Sequence, residues 1–196
     1  MRNPIRLKNL DARFLPLYLA GLAILLFHPV QSSALVRGLP PIGLGLAIRA
    51  WGAGHLVKTH GLTVTGPYAH LRHPLYAGTL LIGTGFALVV GGWLSLILLA
   101  VIWLWFGLLY LPRKDRSEAA RLERVHGEAF VRYREAVPLL WPRLVGWPAG
   151  GGDPMAQQAG ASWSARRYSE NNELGTLLAV IAGLLVFALR AALADR

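Results

Sequence analysis

The residues with the most chemical content lie in thirteen positions, Gly66 to Gly78, where Tyr68, His70, Arg72, His73 and Tyr76 stand just ahead of a long apolar run. Arginine supplies a fork of permanent donors, histidine a titrating ring and tyrosine a neutral hydroxyl, so the set suits the binding of an anion. Pro74 has a fixed φ and no amide to donate, which predicts the first turn of a helix at that point. Arg72 and His73 then sit at a helix N-terminus, whose unpaired amides and dipole favour a carboxylate or phosphate. The other reading of the same residues is a basic collar that anchors a membrane helix.

Three further residues are chemically conspicuous. Arg49 is embedded in an apolar segment, where an arginine is costly and faces a cavity or a partner unless it snorkels to the interface. Its two readings are structural pairing and recognition of a substrate carboxylate or headgroup. His55, on the same segment, has the same readings, with a helix end at the interface as the plain one. Glu118 belongs to Asp115-Arg116-Ser117-Glu118, which also fits a cap in which an Asp N-cap is answered by a Glu three residues on. Gly150 to Gly152 lack the flanking strand and helix of a phosphate loop and carry no such function.

The run Gly66-Pro67-Tyr68, Arg72-His73-Pro74, Tyr76 and Gly78 resembles the Arg-His-Pro-x-Tyr-x-Gly signature of membrane methyltransferases. These include isoprenylcysteine carboxyl methyltransferases and phospholipid N-methyltransferases. Upstream, Arg49-Ala50-Trp51-Gly52 and His55-Leu56 to Lys58 are similar to the Arg-x-Trp-Ala and Leu-x-Lys positions of bacterial members. Downstream, Glu118, Leu122, Gly127, Tyr133 and Val137-Pro138 follow the pattern, while Ala119, His126, Phe130 and Leu139 depart from it. No second carboxylate is carried over at Ala119.

The resemblance implies an integral membrane methyltransferase that uses S-adenosyl-L-methionine on a lipophilic acceptor, an isoprenylcysteine-like carboxylate or a lipid. It implies catalytic roles for Arg72, Glu118 and Arg49, cofactor contacts from Tyr68, Arg72, His73, Pro74, Tyr76, Gly78, Glu118 and Leu122, and no metal. A carboxylate acceptor is already ionised at neutral pH, whereas an amine or thiol has to lose a proton first. Two other classes stay open: a non-catalytic membrane scaffold or lipid-binding relative, and an NADPH-dependent reductase of the sterol reductase kind, whose ending is similar. A di-iron oxygenase on His70 and His73 is disfavoured, because the chain has six histidines in all.

Composition sets the frame for these residues. Of 196 residues 54% are hydrophobic and 15% charged, which points to an integral membrane protein. The chain has no cysteine, so disulfides, thiolate metal sites and thiol nucleophiles are excluded. The net charge of +10 lies in the flanks of apolar segments, which favours anionic lipid headgroups over nucleic acid as the counter-charge. Apolar segments at about 14–30, 41–56, 75–90, 93–111 and 174–193 predict an all-α polytopic bundle of five transmembrane segments, with Gly91-Gly92 turning a hairpin. The first segment lacks a small-residue cleavage site and is not read as a signal peptide. Sixteen of the twenty lysines and arginines fall on one side. The N-terminus, the motif and the long polar stretch 114–143 are therefore expected on the cytosolic face of the inner membrane, with 114–143 lying along the interface. The expected division is a methyltransferase-like core over 1–143, a polar linker over 144–173 and a C-terminal transmembrane helix over 174–196, a packing or partner-binding element.

Overall fold

The computed structural model describes residues 30–57, 61–148 and 162–194, together with Leu19, Gly21, Ala23, Ile24, Phe27 and His28. The first expected span thus lies largely outside the described residues. Among those described every element is helical and there is no strand. The helices are α1 (Ser32–His55), α2 (Pro74–Val90), α3 (Gly92–Leu104), α4 (Leu111–His126), α5 (Glu128–Ala136), α6 (Ala165–Glu170) and α7 (Glu173–Ala194), with a 3-10 turn at Gly66–Ala69.

Glycine at seven-residue spacing determines how α1 meets α2. Gly38, Gly45 and Gly52 on α1 face Gly85, Gly78 and the Pro74-Leu75 turn on α2, so the helices run antiparallel with their backbones in contact. A Cβ on Gly45 would stand 2.6 Å from the carbonyl oxygen of Gly78. Small residues allow this approach, which gives dispersion contacts where lipid removes any hydrophobic advantage to helix pairing. The seam also explains why α1 begins at Ser32 and runs through Pro40 and Pro41, where the second span was expected to begin only at Pro41. The prolines remove two amides. Packing of Gly38 against Val89 before them and of the fully buried Ile42 after them offsets that loss.

At the far end of α2, Gly91 and Gly92 take φ of 74° and 59°, and the chain reverses into α3 as the glycine pair predicts. His28 Nε2 lies 3.1 Å from the Val90 carbonyl at this same end, remote from His73. The helix of the fourth apolar segment does not stop where that segment ends near residue 111. Helix is continuous over Gly92–His126, 35 residues, through a π-helical stretch at Trp105–Tyr110. Pro112 has no amide for the Leu108 carbonyl, and widening the preceding turn accommodates that gap. Asp115 therefore lies inside a helix and caps nothing, which corrects the capping alternative for Asp115–Glu118.

Gly92–His126 and Glu173–Ala194 are each long and apolar enough to cross a membrane; α2 is a shorter apolar helix of 17 residues. Trp93, Leu96 and Leu108 on the first and Leu185 and Leu189 on the second are exposed, as surfaces turned toward lipid require. A core of Val30, Ile42, Ile82, Val89, Val180 and Phe187 joins α1, α2 and α7. A second core of Leu62, Val64, Ala119, Phe130, Tyr133 and Val137 joins the loop after α1 to α4 and α5. The polar stretch after residue 111 is thus two helices broken at Gly127, whose φ is 51°. Of the stretch read as a linker, 149–161 lies outside the described residues, whereas 165–170 forms α6 and docks on the end of α1.

Candidate functional site

The motif residues are placed by two backbone segments distant in sequence. The 3-10 turn closes on itself through Tyr68 N to Thr65 O, and His73 caps α2 by accepting from the amides of Tyr76 and Ala77. The Arg72 amide donates to Pro138 O at 2.9 Å and the His73 amide to Leu139 O at 3.3 Å. Arg72 Nε donates to Val137 O at 2.9 Å. Carbonyls of the Val137-Pro138-Leu139 segment thus cradle the motif, and a carbonyl serves whatever the side chain, so the departure at Leu139 does not alter the cradle. The Arg72 and His73 amides just ahead of α2 are occupied by these carbonyls, and those of Tyr76 and Ala77 by the His73 carbonyl.

The anion near Arg72 and His73 is the protein's own Asp115. Its Oδ1 accepts from Arg72 Nη1 at 2.9 Å and lies 3.0 Å from His73 Nε2, while Arg134 Nη2 is 3.8 Å from Oδ2. A carboxylate only accepts, so Nε2 carries the proton toward it. His73 Nδ1 lies 3.6 Å from Glu118 Oε2, and the ring stacks on Tyr76 at 5.2 Å. Tyr76 donates its hydroxyl to Glu118 Oε1 at 2.7 Å. Two carboxylates one turn apart on α4 therefore hold His73 between them. Arg72 uses Nε and Nη1 in this arrangement, leaving Nη2 as the donor for a bound group.

These residues open onto a cleft of about 510 Å³, within the range of small-molecule sites. Tyr68, Arg72, His73, Pro74, Tyr76, Glu118 and Leu122 all line it. Two residues expected at the site do not. Gly78 faces the Gly45 carbonyl and the Arg49 stem across the helix seam, because its missing side chain is what lets α1 approach. Arg49 is engaged by Glu173, Thr79 and the Leu75 carbonyl, the structural alternative for that residue. His55 is buried under Gly66 beside Thr65. The sequence reading passed over Asp115 as a pairing carboxylate, and over Arg121, Val125 and Tyr133 as cleft lining. Asp115 had a legible signal as the first acidic residue after the apolar run that begins at Gly92, and Tyr133 had one in its match to the family pattern.

Burial sets the electrostatics. Arg72 is lowered from the ordinary arginine value by burial first, opposed by Asp115. Burial also pushes the Tyr68 and Tyr133 hydroxyls well above the ordinary tyrosine range, with Tyr133 and Glu173 adding at Tyr68 and Arg72 opposing at Tyr133. Both hydroxyls are neutral at physiological pH, and that of Tyr133 donates to the Tyr68 carbonyl at 2.8 Å. Their raised folded-state values leave stability intact below the unfolded value, about pH 10. Above it the unfolded chain ionises while the folded one does not, so stability falls by up to about 1.4 kcal/mol per group per pH unit. Melting temperatures between pH 8 and 11 are expected to drop more shallowly in Tyr133→Phe than in the wild type; equal slopes would discount this coupling.

Ala119 is 3% exposed and packs among Leu62, Val64 and Phe130. A glutamate there would bury a charge in an apolar core, so the departure from the family pattern is built into the packing.

The phospholipid methyltransferase family profile matches residues 42–125. The protein-S-isoprenylcysteine O-methyltransferase of Schizosaccharomyces pombe is 32% identical over 81 residues, covering 41% of this chain and 33% of that protein. The cobalt-zinc-cadmium resistance protein CzcN of Cupriavidus metallidurans is 35% identical over 117 residues, 59% of this chain and 52% of the relative. The nickel-cobalt-cadmium resistance protein NccN of Alcaligenes xylosoxydans xylosoxydans is 32% identical over 117 residues, 59% of this chain and 53% of the relative. The chain thus spans a third to a half of the length of these curated relatives. No solved structure matches it. The matched segment carries Arg49, the whole motif, Asp115, Glu118 and Leu122, so the resemblance read at Gly66–Gly78 extends through the cleft-lining part of α4.

Proposed function

From the premise that residues 42–125 are a segment of the phospholipid methyltransferase kind, we propose that the chain is an integral membrane S-adenosylmethionine-dependent methyltransferase acting on a lipophilic acceptor. The observation that carries the reading is the convergence of Arg72, His73, Tyr76 and Glu118 on one cleft inside the matched segment. When bound, the cofactor supplies a methyl group on a positive sulfur, activated for in-line displacement. Its charges fit the residues present. Arg72 would hold the carboxylate of the amino acid portion, and Glu118 would set a negative charge against the ammonium and sulfonium. Tyr76 fixes the orientation of Glu118, and Leu122 would offer the cofactor an apolar contact on the cleft wall. No residue has to act as a base toward a carboxylate acceptor.

In the same proposal the five apolar segments span the inner membrane, with the N-terminus, the cleft and α4–α5 on the cytosolic side. Residues 1–143 form the core that carries the cleft. Membrane lipids are the proposed surroundings of a groove of about 330 Å³ lined by Trp105, Tyr110, Arg113 and Lys114, where apolar helix gives way to basic helix. The metals in the names of two relatives are not proposed as ligands: among the described residues no three His, Cys, Asp or Glu side chains group to hold an ion. Buried Ala119 supports the second reading, a non-catalytic relative.

Transfer of labelled methyl from S-adenosylmethionine into membrane extracts by the purified protein decides between them. Label is expected in the lipid or prenylated-protein fraction and is expected to fall about ten- to hundredfold in Arg72→Ala at subsaturating cofactor. Cofactor binding without transfer would leave the acceptor to be found, while absence of binding would favour the non-catalytic reading. Repeating the assay in vesicles with and without anionic lipid reads the groove.

A further inference from the structure

The C-terminal segment lies outside the 42–125 match, yet it reaches the cleft wall by two routes. Glu173, the first residue of α7, is 4% exposed and takes the Arg49 guanidinium side-on: Oε2 accepts from Nε at 2.9 Å and Oε1 from Nη2 at 2.6 Å. The third nitrogen, Nη1, donates to Leu75 O at 3.1 Å and to Thr79 Oγ1 at 2.5 Å. One side chain therefore ties α1, α7 and the first turn of α2 together. Leu75 and Tyr76 of that turn line the cleft, and Tyr76 orients Glu118.

The second route runs through the end of α1, from Ala50 to the last turn, whose final carbonyls lack helical partners. Trp163 Nε1 donates to Ala50 O, Ser164 N and Arg167 Nε both donate to Gly54 O, and Asn171 Nδ2 donates to Ala53 O and Leu56 O. Leu56 and Val57, directly beyond, also line the cleft. This docking delivers Glu173 to Arg49 and holds it there.

We infer that Glu173 is a positioning residue for the cofactor cleft: it fixes Arg49 so that Nη1 holds the Leu75 carbonyl and with it the Tyr76 wall. Arg49 then acts as an internal brace between helices. In an apolar helix, an arginine without its carboxylate turns toward the interface, and the α2 turn loses its outside donor. The inference rests on the methyltransferase reading for what the cleft binds, and on geometry alone for the brace.

The test uses the full-length protein in detergent or nanodiscs, with three readouts: S-adenosylmethionine affinity, amide exchange over residues 72–80, and melting temperature. Glu173→Gln is expected to weaken affinity about tenfold, a displaced wall being enough for that. It is also expected to raise exchange at Tyr76–Thr79 about tenfold through local opening. The exchanged pair Arg49→Glu with Glu173→Arg separates bracing from mere docking. It restores the ion pair and the melting temperature, but a carboxylate at position 49 cannot donate to Leu75 O, so affinity and protection stay low. Wild-type affinity and exchange in Glu173→Gln would overturn the inference, as would full recovery of affinity in the exchanged pair. Should the exchanged pair fail to fold, Glu173→Asp replaces it: intermediate exchange supports the brace, and unchanged exchange refutes it. A wild-type protein that binds no cofactor would end the methyltransferase reading, and the exchange data alone would then decide the brace.

Discussion

Gly45→Leu is expected to leave no stably folded protein. The added Cβ would stand 2.6 Å from Gly78 O, 2.8 Å from Ile82 Cγ1 and 3.0 Å from Ile82 N. Two of these obstacles are backbone, so no rotamer change relieves them and α1 must move off α2. Overpacking costs about 1–3 kcal/mol where side chains can yield. Here the separation propagates to the Gly38 and Gly52 contacts and to Arg49, and a loss of about 5 kcal/mol takes most of a typical domain's stability. Gly43, two residues away, has nothing within 4 Å of an added Cβ. Gly43→Leu is therefore expected to be neutral or to stabilise by up to about 1 kcal/mol, since glycine is a poor helix former. The yield of monodisperse protein and the melting temperature compare the two. Equal behaviour would mean that the seam does not hold the helices.

The same seam shows what the sequence disclosed and what it concealed. Glycines at 38, 45 and 52 and at 78 and 85 keep a spacing of seven, a legible small-residue stripe, but glycine was taken for turns or, at Gly78, for a cofactor contact. The start of α2 at Pro74 was legible because its signal is local. The helical pattern of 114–143 was legible too, but its unbroken junction with the apolar helix was not, because hydropathy changes near residue 111 while backbone hydrogen bonding does not. Pro40-Pro41 signalled a helix start for a chain on its own, and packing against α2 overrode it. The pairings were the least accessible. Asp115 meets Arg72 across 43 residues and Glu173 meets Arg49 across 124, and nothing in one sequence couples such positions. The motif thus revealed which cations matter, while their carboxylates required the fold.

Removing either end of the Arg72–Asp115 pair is expected to do different damage. Arg72→Ala leaves Asp115 with His73 at 3.0 Å and Arg134 at 3.8 Å, so the carboxylate keeps two partners. What goes is the Nε bond to Val137 O, at a modest cost to the fold, and the Nη2 donor at the cleft. A hydrogen bond to a charged group contributes about 1.5–3 kcal/mol, which is roughly a ten- to hundredfold loss of S-adenosylmethionine affinity. Asp115→Ala does the reverse. It removes the carboxylate that Arg72, His73 and Arg134 share, and both Arg72 and Asp115 side chains are 14% exposed. Breaking a buried pair costs about 3–5 kcal/mol, and partial exposure brings the expectation down to about 2–3 kcal/mol. Asp115→Asn keeps an acceptor for Arg72 Nη1 and should fall between the wild type and Asp115→Ala in melting temperature. Calorimetric binding measured beside thermal unfolding separates these outcomes. Native affinity in Arg72→Ala would remove Arg72 from the site, and a stable Asp115→Ala would mean that Arg72, His73 and Arg134 do not depend on it.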